Sequence, residues 1–363
     1  MRFPEFSGEW ECKKLGDIGT TLIGLTYSPQ DVVPSDGTIV LRSSNIKGGL
    51  LDYTDLVRVN KKIKESIITR TNDILICARN GSARLIGKNA ILKDSDCGHT
   101  FGAFMMVYRS DDNPFVHQLL STKRYYSQVA ENLGARINQI TTSDLNSFEF
   151  SFPQSNKEKV KIAGMLSLLD ERIATQIKII EKLESLIKGL CQKLTQQGIP
   201  NITLNNCLEC YSSTLQESSV LEVGDFPVYG ATGVCGYTNT PEVNGDSILI
   251  IKDGASVGIT YYASGEYSAI GTLNRLVAKS GYSLRYLYYC LKVFNFAPYR
   301  TGLAIPHIYF RDYGKAQIWC PPIEEQNRIA NALEKVEQKI TTEKSLLEQL
   351  YSQKRFLLNT MFI

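Results

Sequence analysis

The chain has 363 residues, 43% of them hydrophobic and 21% charged, which exceeds one ordinary core and fits a globular protein of two or three domains. A net charge of +3 is small for a protein that holds nucleic acid alone and without specificity; if DNA is the target, the basic residues are clustered or a partner supplies part of the positive surface. No apolar run reaches the roughly 18–20 residues of a membrane span, and Met1-Arg2-Phe3-Pro4-Glu5 does not open as a secretion signal. The expectation is a cytoplasmic protein without membrane attachment, its nine cysteines reduced.

Along the chain, short β-rich runs come first: TIVLRSSNI (38–46), ILICARNG (74–81) and FMMVYRS (104–110). DILICARNGSARLIG (73–87) joins a buried strand to an Asn-Gly turn and a second glycine, which predicts strand-turn-strand. GSARLIGKN (81–89) fails as a phosphate loop, because five residues separate its glycines and Asn89 stands where Ser or Thr would bind magnesium. DNPF (112–115) has only one of the two prolines of an adenine methyltransferase loop, and no glycine-rich cofactor loop precedes it. Asn113 and Pro114 are read instead as the entry to a helix-like stretch over Phe115–Ala130. PQSNKEKVKIAGMLSLLDERI (153–173) then starts a long helix, with Glu158 placed where a helix N-terminus favours negative charge.

The second half opens with Cys207 and Cys210, spaced as half a zinc site; no other half follows, so free thiols are expected. FPVYGATGVCGYT (226–238), ILIIKDG (248–254) and LNRLVAK (273–279) are β-rich, and DGASVG (253–258) reads as a hairpin turn. Leu284–Phe294 is helix-like, and most rings of YSLRYLYYCLKVFNFAPYR (282–300) are expected in the core. PPIEEQNRIANALEKVEQKI (321–340) opens a second long helix with Glu324 and Glu325, and neither Gly nor Pro occurs from Ile323 to Ile363. His99, His117 and His307 are too few and scattered for a general-base or metal cluster.

The two proline-opened helices are copies. Pro153 matches Pro321, and after a one-residue deletion Ile162-Ala163 matches Ile329-Ala330. Leu166, Leu169, Ile173, Ile180 and Leu183 then meet Leu333, Val336, Ile340, Leu347 and Leu350 at three- and four-residue steps, the seam of a coiled coil. Two helices of roughly 35–40 residues, about 55–60 Å long, would shield each other's apolar stripes as an antiparallel pair. Ahead of them LGARINQITTSD (133–144) matches TGLAIPHIYFRD (301–312), aligning Gly134 with Gly302 and Ile137 with Ile305, while DILICARNGSARLIG matches SILIIKDGASVG (247–258). The chain is a duplication of globular domain followed by long helix.

This pattern resembles the specificity (S) subunit of Type I restriction–modification systems, on its Pro-led helices and on LRSSNIKGGLLD (41–52), NDILICARNGS (72–82), FPVYGATGVCGY (226–237) and DSILIIKDGASVG (246–258). The first helix departs at Lys157-Glu158-Lys159, where the second has the Glu-Gln pair of the family. The resemblance implies an α+β chain: two mixed α/β target-recognition domains in tandem, separated by two long helices forming an antiparallel coiled coil. The boundaries fall at 1–152 and 195–320 for the domains, 153–194 and 321–363 for the helices. It also implies a non-catalytic subunit that reads a bipartite, asymmetric site in double-stranded DNA. Two methyltransferase (M) subunits would bring S-adenosylmethionine, this chain holding no cofactor, and restriction/translocase (R) subunits would join for cleavage. Arg suits guanine and Asn or Gln suits adenine in such readers. The candidates are Arg42, Ser43, Ser44, Asn45, Arg79, Asn80, Arg136, Asn138 and Gln139 in the first domain, and Tyr229, Lys252, Asn274, Arg275, Arg300 and His307 in the second. A stand-alone DNA methyltransferase or nuclease, or a coiled-coil scaffold without DNA binding, are the competing readings.

Overall fold

Where apolar residues recur every three or four positions without a breaker, this computed structural model is helical. The principal helices are α1 (Asn113–Leu119), α2 (Lys123–Leu133), α3 (Asn156–Thr195), α4 (Leu284–Lys292) and α5 (Ile323–Met361). The structure describes residues 2–133, 138–302 and 304–362. The chain divides into two compact units: unit 1 is Met1–Thr175 with Leu347–Ile363, and unit 2 is Gln176–Leu346.

Both units build the same sheet. In unit 1, β1 (Thr20–Ile23), β2 (Ile74–Cys77), β3 (Asn89–Ile91) and β4 (Met105–Arg109) lie in the order β1-β4-β2-β3, all antiparallel. In unit 2, β5 (Leu208–Ser212), β6 (Ser247–Ile251), β7 (Thr260–Ala263) and β8 (Leu273–Ala278) lie in the matching order β5-β8-β6-β7. A second sheet repeats as well. Thr100–Phe101 runs parallel to Thr38–Leu41, which pairs with Val57–Val59; Glu266–Ala269 runs parallel to Phe226–Gly230, which pairs with Gly233–Thr238.

The central strands β2 and β6 are apolar apart from Ser247 at the start of β6, as expected of strands covered on both faces. Ile74 and Ile76 pack with Phe115, Val116 and Tyr125 of α1 and α2, while Leu75 and Cys77 pack with Leu41, Phe101 and Val107. Ile248 and Ile250 likewise join Tyr286, Leu287 and Tyr289 of α4, and Leu249 and Ile251 join Tyr267 and Leu273. The rings of 282–300 are thus largely core. The stretch read as one helix over Phe115–Ala130 is two helices. Thr122 donates its hydroxyl to Leu119 O (2.6 Å) and accepts from Tyr125 N (3.4 Å), closing one and opening the next.

The long helices complete these cores. Ile162, Ala163 and Leu166 of α3 join Leu358 and Met361 of α5 in unit 1; Ile187 and Cys191 of α3 join Ile329, Ala330, Leu333 and Ile340 of α5 in unit 2. In unit 1 the start of α3, with Ile162, Ala163 and Leu166, shares a core with Leu358 and Met361 at the end of α5, and Asp170 further along α3 pairs with Lys354 further back on α5, so the packing is antiparallel. Of the expected seam, Leu166, Ile173, Ile180, Leu333, Ile340 and Leu350 are buried, whereas Leu169, Leu183, Val336 and Leu347 are half-buried. The apolar pattern omits one polar layer. Gln176 and Glu343 occupy matching repeat positions, both buried, and the Gln176 amide donates to the Glu343 carboxylate and to its backbone carbonyl (3.1 Å).

The departure at Lys157-Glu158-Lys159 has a structural equivalent. Gln326 of α5 is buried inside unit 2, donating to Pro321 O (2.8 Å) and accepting from Ser283 N (2.9 Å), the residue before α4. In unit 1 the matching Lys159 reaches both carboxylate oxygens of Asp112, the residue before α1, at 2.5 and 2.6 Å. The same docking is made once by an amide and once by an ion pair. Glu158 is meanwhile buried against the Arg2 guanidinium at 2.6 and 2.7 Å.

Two outcomes follow from this packing. Leu333→Ala should cost about 2–5 kcal/mol through lost burial and a residual cavity, and Leu347→Ala, half-buried, clearly less; urea unfolding of the two variants measures both. The second concerns His117 of α1, whose pKa is pushed down to about 4 by burial, with Lys354 of α5 lowering it further and Asp170 of α3 opposing. The unfolded imidazole titrates near 6.5, so the unfolded chain binds a proton where folded His117 stays neutral. Its contribution is complete above about pH 6.5 and is lost as pH falls toward 4, by up to roughly 1.4 kcal/mol per pH unit. Urea unfolding from neutral to acid pH should show a smaller loss in His117→Gln than in the parent, and parallel profiles would refute the assignment.

Candidate nucleic-acid interface

In both units the turn after the central strand is pinned to the segment ahead of a long helix. In unit 1, Ile140 N donates to Ala78 O (2.9 Å) and Asn80 N to Asn138 O (3.3 Å). In unit 2, the equivalent bonds run from Ile308 N to Lys252 O (3.0 Å) and from Gly254 N to Pro306 O (2.9 Å). Each hairpin closes on a glycine, Gly87 N to Cys77 O and Gly258 N to Ile251 O, both 2.9 Å. These glycines have φ of +80° and +93°, the left-handed region that excludes most other residues. Two segments far apart in sequence therefore meet twice, in the same backbone arrangement.

The unit 1 turn gathers most of its expected residues. Asn80 donates to the Ser43 hydroxyl (3.0 Å) and accepts from Ser82 N (3.0 Å), Asn138 donates to Gly81 O (2.9 Å), and Gln139 bridges Arg79 across the chain. Lys88, its ammonium pKa lowered by burial, donates to Ser43 O (3.1 Å). Arg42 is paired with Asp55 at 2.7 Å. The exposed Arg79 guanidinium lies 5.3 Å from the centroid of Phe104, itself 60% exposed, and the backbone N–H groups of Ala78 and Arg79 both donate to Phe104 O. Beside this edge runs a groove of about 800 Å³ lined by Tyr27, Pro29, Arg42, Ser43, Ser44 and Phe104 among others. Asn45 is corrected. It is fully buried, accepting from Arg42 N (2.9 Å) and donating to Asp52 O (3.0 Å) and Asp55 O (2.8 Å), so its amide shapes the loop and has no face for a base. Arg136 lies outside the described residues.

Unit 2 gathers fewer. The His307 ring sits against the Asp253 carboxylate and 4.1 Å from Tyr309, and Thr301 and His307 exchange backbone hydrogen bonds of 2.8 Å. Arg300 donates to Val257 O (3.0 Å), which places it with Lys252 and His307 around the one turn. Asn274 is corrected: it is buried on the core face of β8, accepting from the Ser212 hydroxyl at 3.0 Å. Arg275 points to the other face, over the Tyr211 ring at 4.5 Å, and Tyr229 packs edge-on against Tyr267 at 5.6 Å; both stand on sheets, outside the turn. Sequence reasoning missed Lys88, Phe104, Asp253 and Tyr309. Lys88 follows the second turn glycine directly, a usable signal; Phe104 was counted as the first residue of a strand run.

The nine cysteines are free, and among the described residues no group of three or more His, Cys, Asp or Glu side chains could hold a metal ion. No described helix is long and apolar enough to cross a membrane. Fold and edge together define an internally duplicated α+β protein, with one frame built twice and two unlike polar turns.

Residues 7–185 and 211–352 match the Type I restriction modification DNA specificity domain, and the chain belongs to that family. Its curated relatives include the Type I restriction enzyme StySPI specificity subunit of Salmonella potsdam, 24% identical over 67% of this chain and 53% of the relative. The EcoKI specificity subunit of Escherichia coli strain K12 is 26% identical over 50% of this chain and 41% of its own length. The chain thus spans about half the length of these relatives. It shares its fold with the crystal structure of the Type-I restriction-modification S subunit from M. genitalium: TM-score 0.68, 19% identity, 100% of this chain and 99% of the other.

The corrected assignments separate stability from surface chemistry. Asn45→Ala should cost about 1–3 kcal/mol, because it strands a buried N–H and two carbonyls. Arg79→Ala, on an exposed guanidinium, should stay within about 0.5 kcal/mol. Thermal unfolding of the two variants decides, and equal stability would return Asn45 to the surface.

Proposed function

We propose that this chain is the sequence-specific DNA-recognition subunit of a Type I restriction–modification complex, reading a bipartite, asymmetric site without catalysing a reaction itself. Two methyltransferase subunits supply S-adenosylmethionine and adenine methylation, and restriction/translocase subunits act on the same site in the cytoplasm. The observation that carries this reading is the twice-built turn: its backbone hydrogen bonds match, while its side chains are Arg42, Ser43, Ser44, Arg79, Asn80, Asn138 and Gln139 in one copy and Lys252, Arg300 and His307 in the other. A preserved frame with divergent polar groups suits two readers of unlike half-sites, since base edges are distinguished by donor and acceptor pattern. Lys and Arg beside the turns suit phosphate contacts, which position a reader on the duplex. Partner docking has candidate surface on the long helices, where Val160 and Leu168 of α3 and Phe356 of α5 are more than half exposed in unit 1.

Replacing residues 1–150 by the first domain of another family member, and mapping methylated sites across a genome, should change one half of the recognised site and leave the other intact. Simultaneous change of both halves would overturn the two-reader mechanism. Methyl transfer from labelled S-adenosylmethionine by the purified chain alone would overturn the non-catalytic role. Loss of affinity with added salt, measured on the assembled complex, separates this function from a scaffold that does not bind DNA.

A further inference from the structure

Each globular half is tied to a long helix by an acidic residue, and the two acids match. Asp170 of α3 aligns with Glu337 of α5 in the register that pairs Leu166 with Leu333 and Ile173 with Ile340. In unit 1, Asp170 accepts from Gln118 Nε2 of α1 (3.3 Å) and from Lys354 Nζ of α5 (2.5 Å), with His117 buried alongside. In unit 2, Glu337 accepts from the hydroxyls of Tyr289 (2.9 Å) and Tyr288 (3.3 Å) and from Lys292 Nζ (2.6 Å), all on α4. Gln118 and Tyr289 are each the sixth residue of their helix. The donors from the globular half have diverged from a glutamine to a tyrosine pair with a lysine, while the helix has kept a carboxylate.

Apolar packing around these points is non-directional and tolerates small rotations of one element on another. Hydrogen bonds to a carboxylate are short and angle-dependent, so they select one pose. We propose that Asp170 and Glu337 are positioning residues that fix the pose of each globular half on its helices, and thereby the register in which that half meets DNA. The second clause rests on the function proposed above. The first stands on the hydrogen bonds alone.

The test uses the full-length chain carrying Glu337→Gln, with Glu337→Asp as the conservative variant and Asp170→Asn as its unit 1 counterpart. Hydrogen exchange needs no DNA. Backbone amides of α4 should exchange about tenfold faster in Glu337→Gln, while the unit 2 sheet stays protected, and Glu337→Asp should recover part of that protection. Unchanged α4 exchange, or equal acceleration throughout unit 2, overturns the positioning role. The chain is then co-expressed with its methyltransferase subunit and methylated sites are mapped. Glu337→Gln should add sites whose half-sites are unaltered but whose gap differs by one base pair, lowering gap discrimination about tenfold. Faster α4 exchange with gap preference unchanged overturns the link to DNA register. If the parent complex methylates nothing, the proposed function fails, and the exchange result alone still decides whether the carboxylates fix the pose.

Discussion

The structure depends on the need of every apolar surface here for a cover that lies elsewhere in the chain. Helices such as α3 and α5 draw most of their stability from packing an apolar stripe, and a sheet such as β1-β4-β2-β3 leaves one face open until something lies across it. The solution in both units is a shared core. Ile162 and Leu166 enter the cluster that holds Phe115, Tyr125 and Phe150, and Leu333 and Ile340 enter the cluster that holds Tyr286, Leu287 and Tyr313. Helix and globular half are therefore one cooperative body within each unit. An error in helix packing is transmitted to the turn beyond β2 or β6, because Ile76 and Ile250 lie in the same clusters as the helix residues.

Much of this was legible because it rests on apolar periodicity and on backbone punctuation. The spacing of Leu166, Ile173, Leu333 and Ile340 states a buried stripe, and Asn-Gly or Asp-Gly after four apolar residues states a hairpin. Neither signal depends on context. Polar side chains are different, since an asparagine in a turn has the same letter whether its amide meets solvent or its own backbone. Asn45 and Asn80 stand in similar surroundings of sequence, yet Asn45 is consumed by Arg42, Asp52 and Asp55 while Asn80 remains half-buried at the edge. Asn274 is illegible for a related reason: strand alternation puts it on the face it shares with buried Leu276 and its neighbour Arg275 on the opposite one.

The polar layer of Gln176 and Glu343 is not legible in apolar periodicity, since both residues interrupt the stripe. A buried amide–carboxylate contact contributes little net stability relative to an apolar pair, but a displaced register would leave both groups without partners, at a cost of about 1–3 kcal/mol each. Such a layer is suited to specifying one alignment of two similar helices. Lys159 with Asp112, and Gln326 with Ser283, work in the same sense at the helix starts, with opposite chemistry and one geometry.

The cations beside the turns are also partly masked locally. Arg42 is neutralised by Asp55 and Lys88 is half-sunk beside Ser43, so the unit 1 turn carries cations that are already held in place. A guanidinium fixed by a carboxylate or laid over a ring, as Arg79 is over Phe104, loses less rotamer freedom when it meets a ligand than a free one. The same pairing weakens non-specific attraction to phosphate, because the field of each cation is partly cancelled before any duplex arrives. For the DNA reader proposed above, such pairing gives up general affinity in favour of correct geometry at the edge. Under that proposal, rigid turns, matched backbone hydrogen bonds and a common core with the long helices serve recognition as much as the side chains at the edge do.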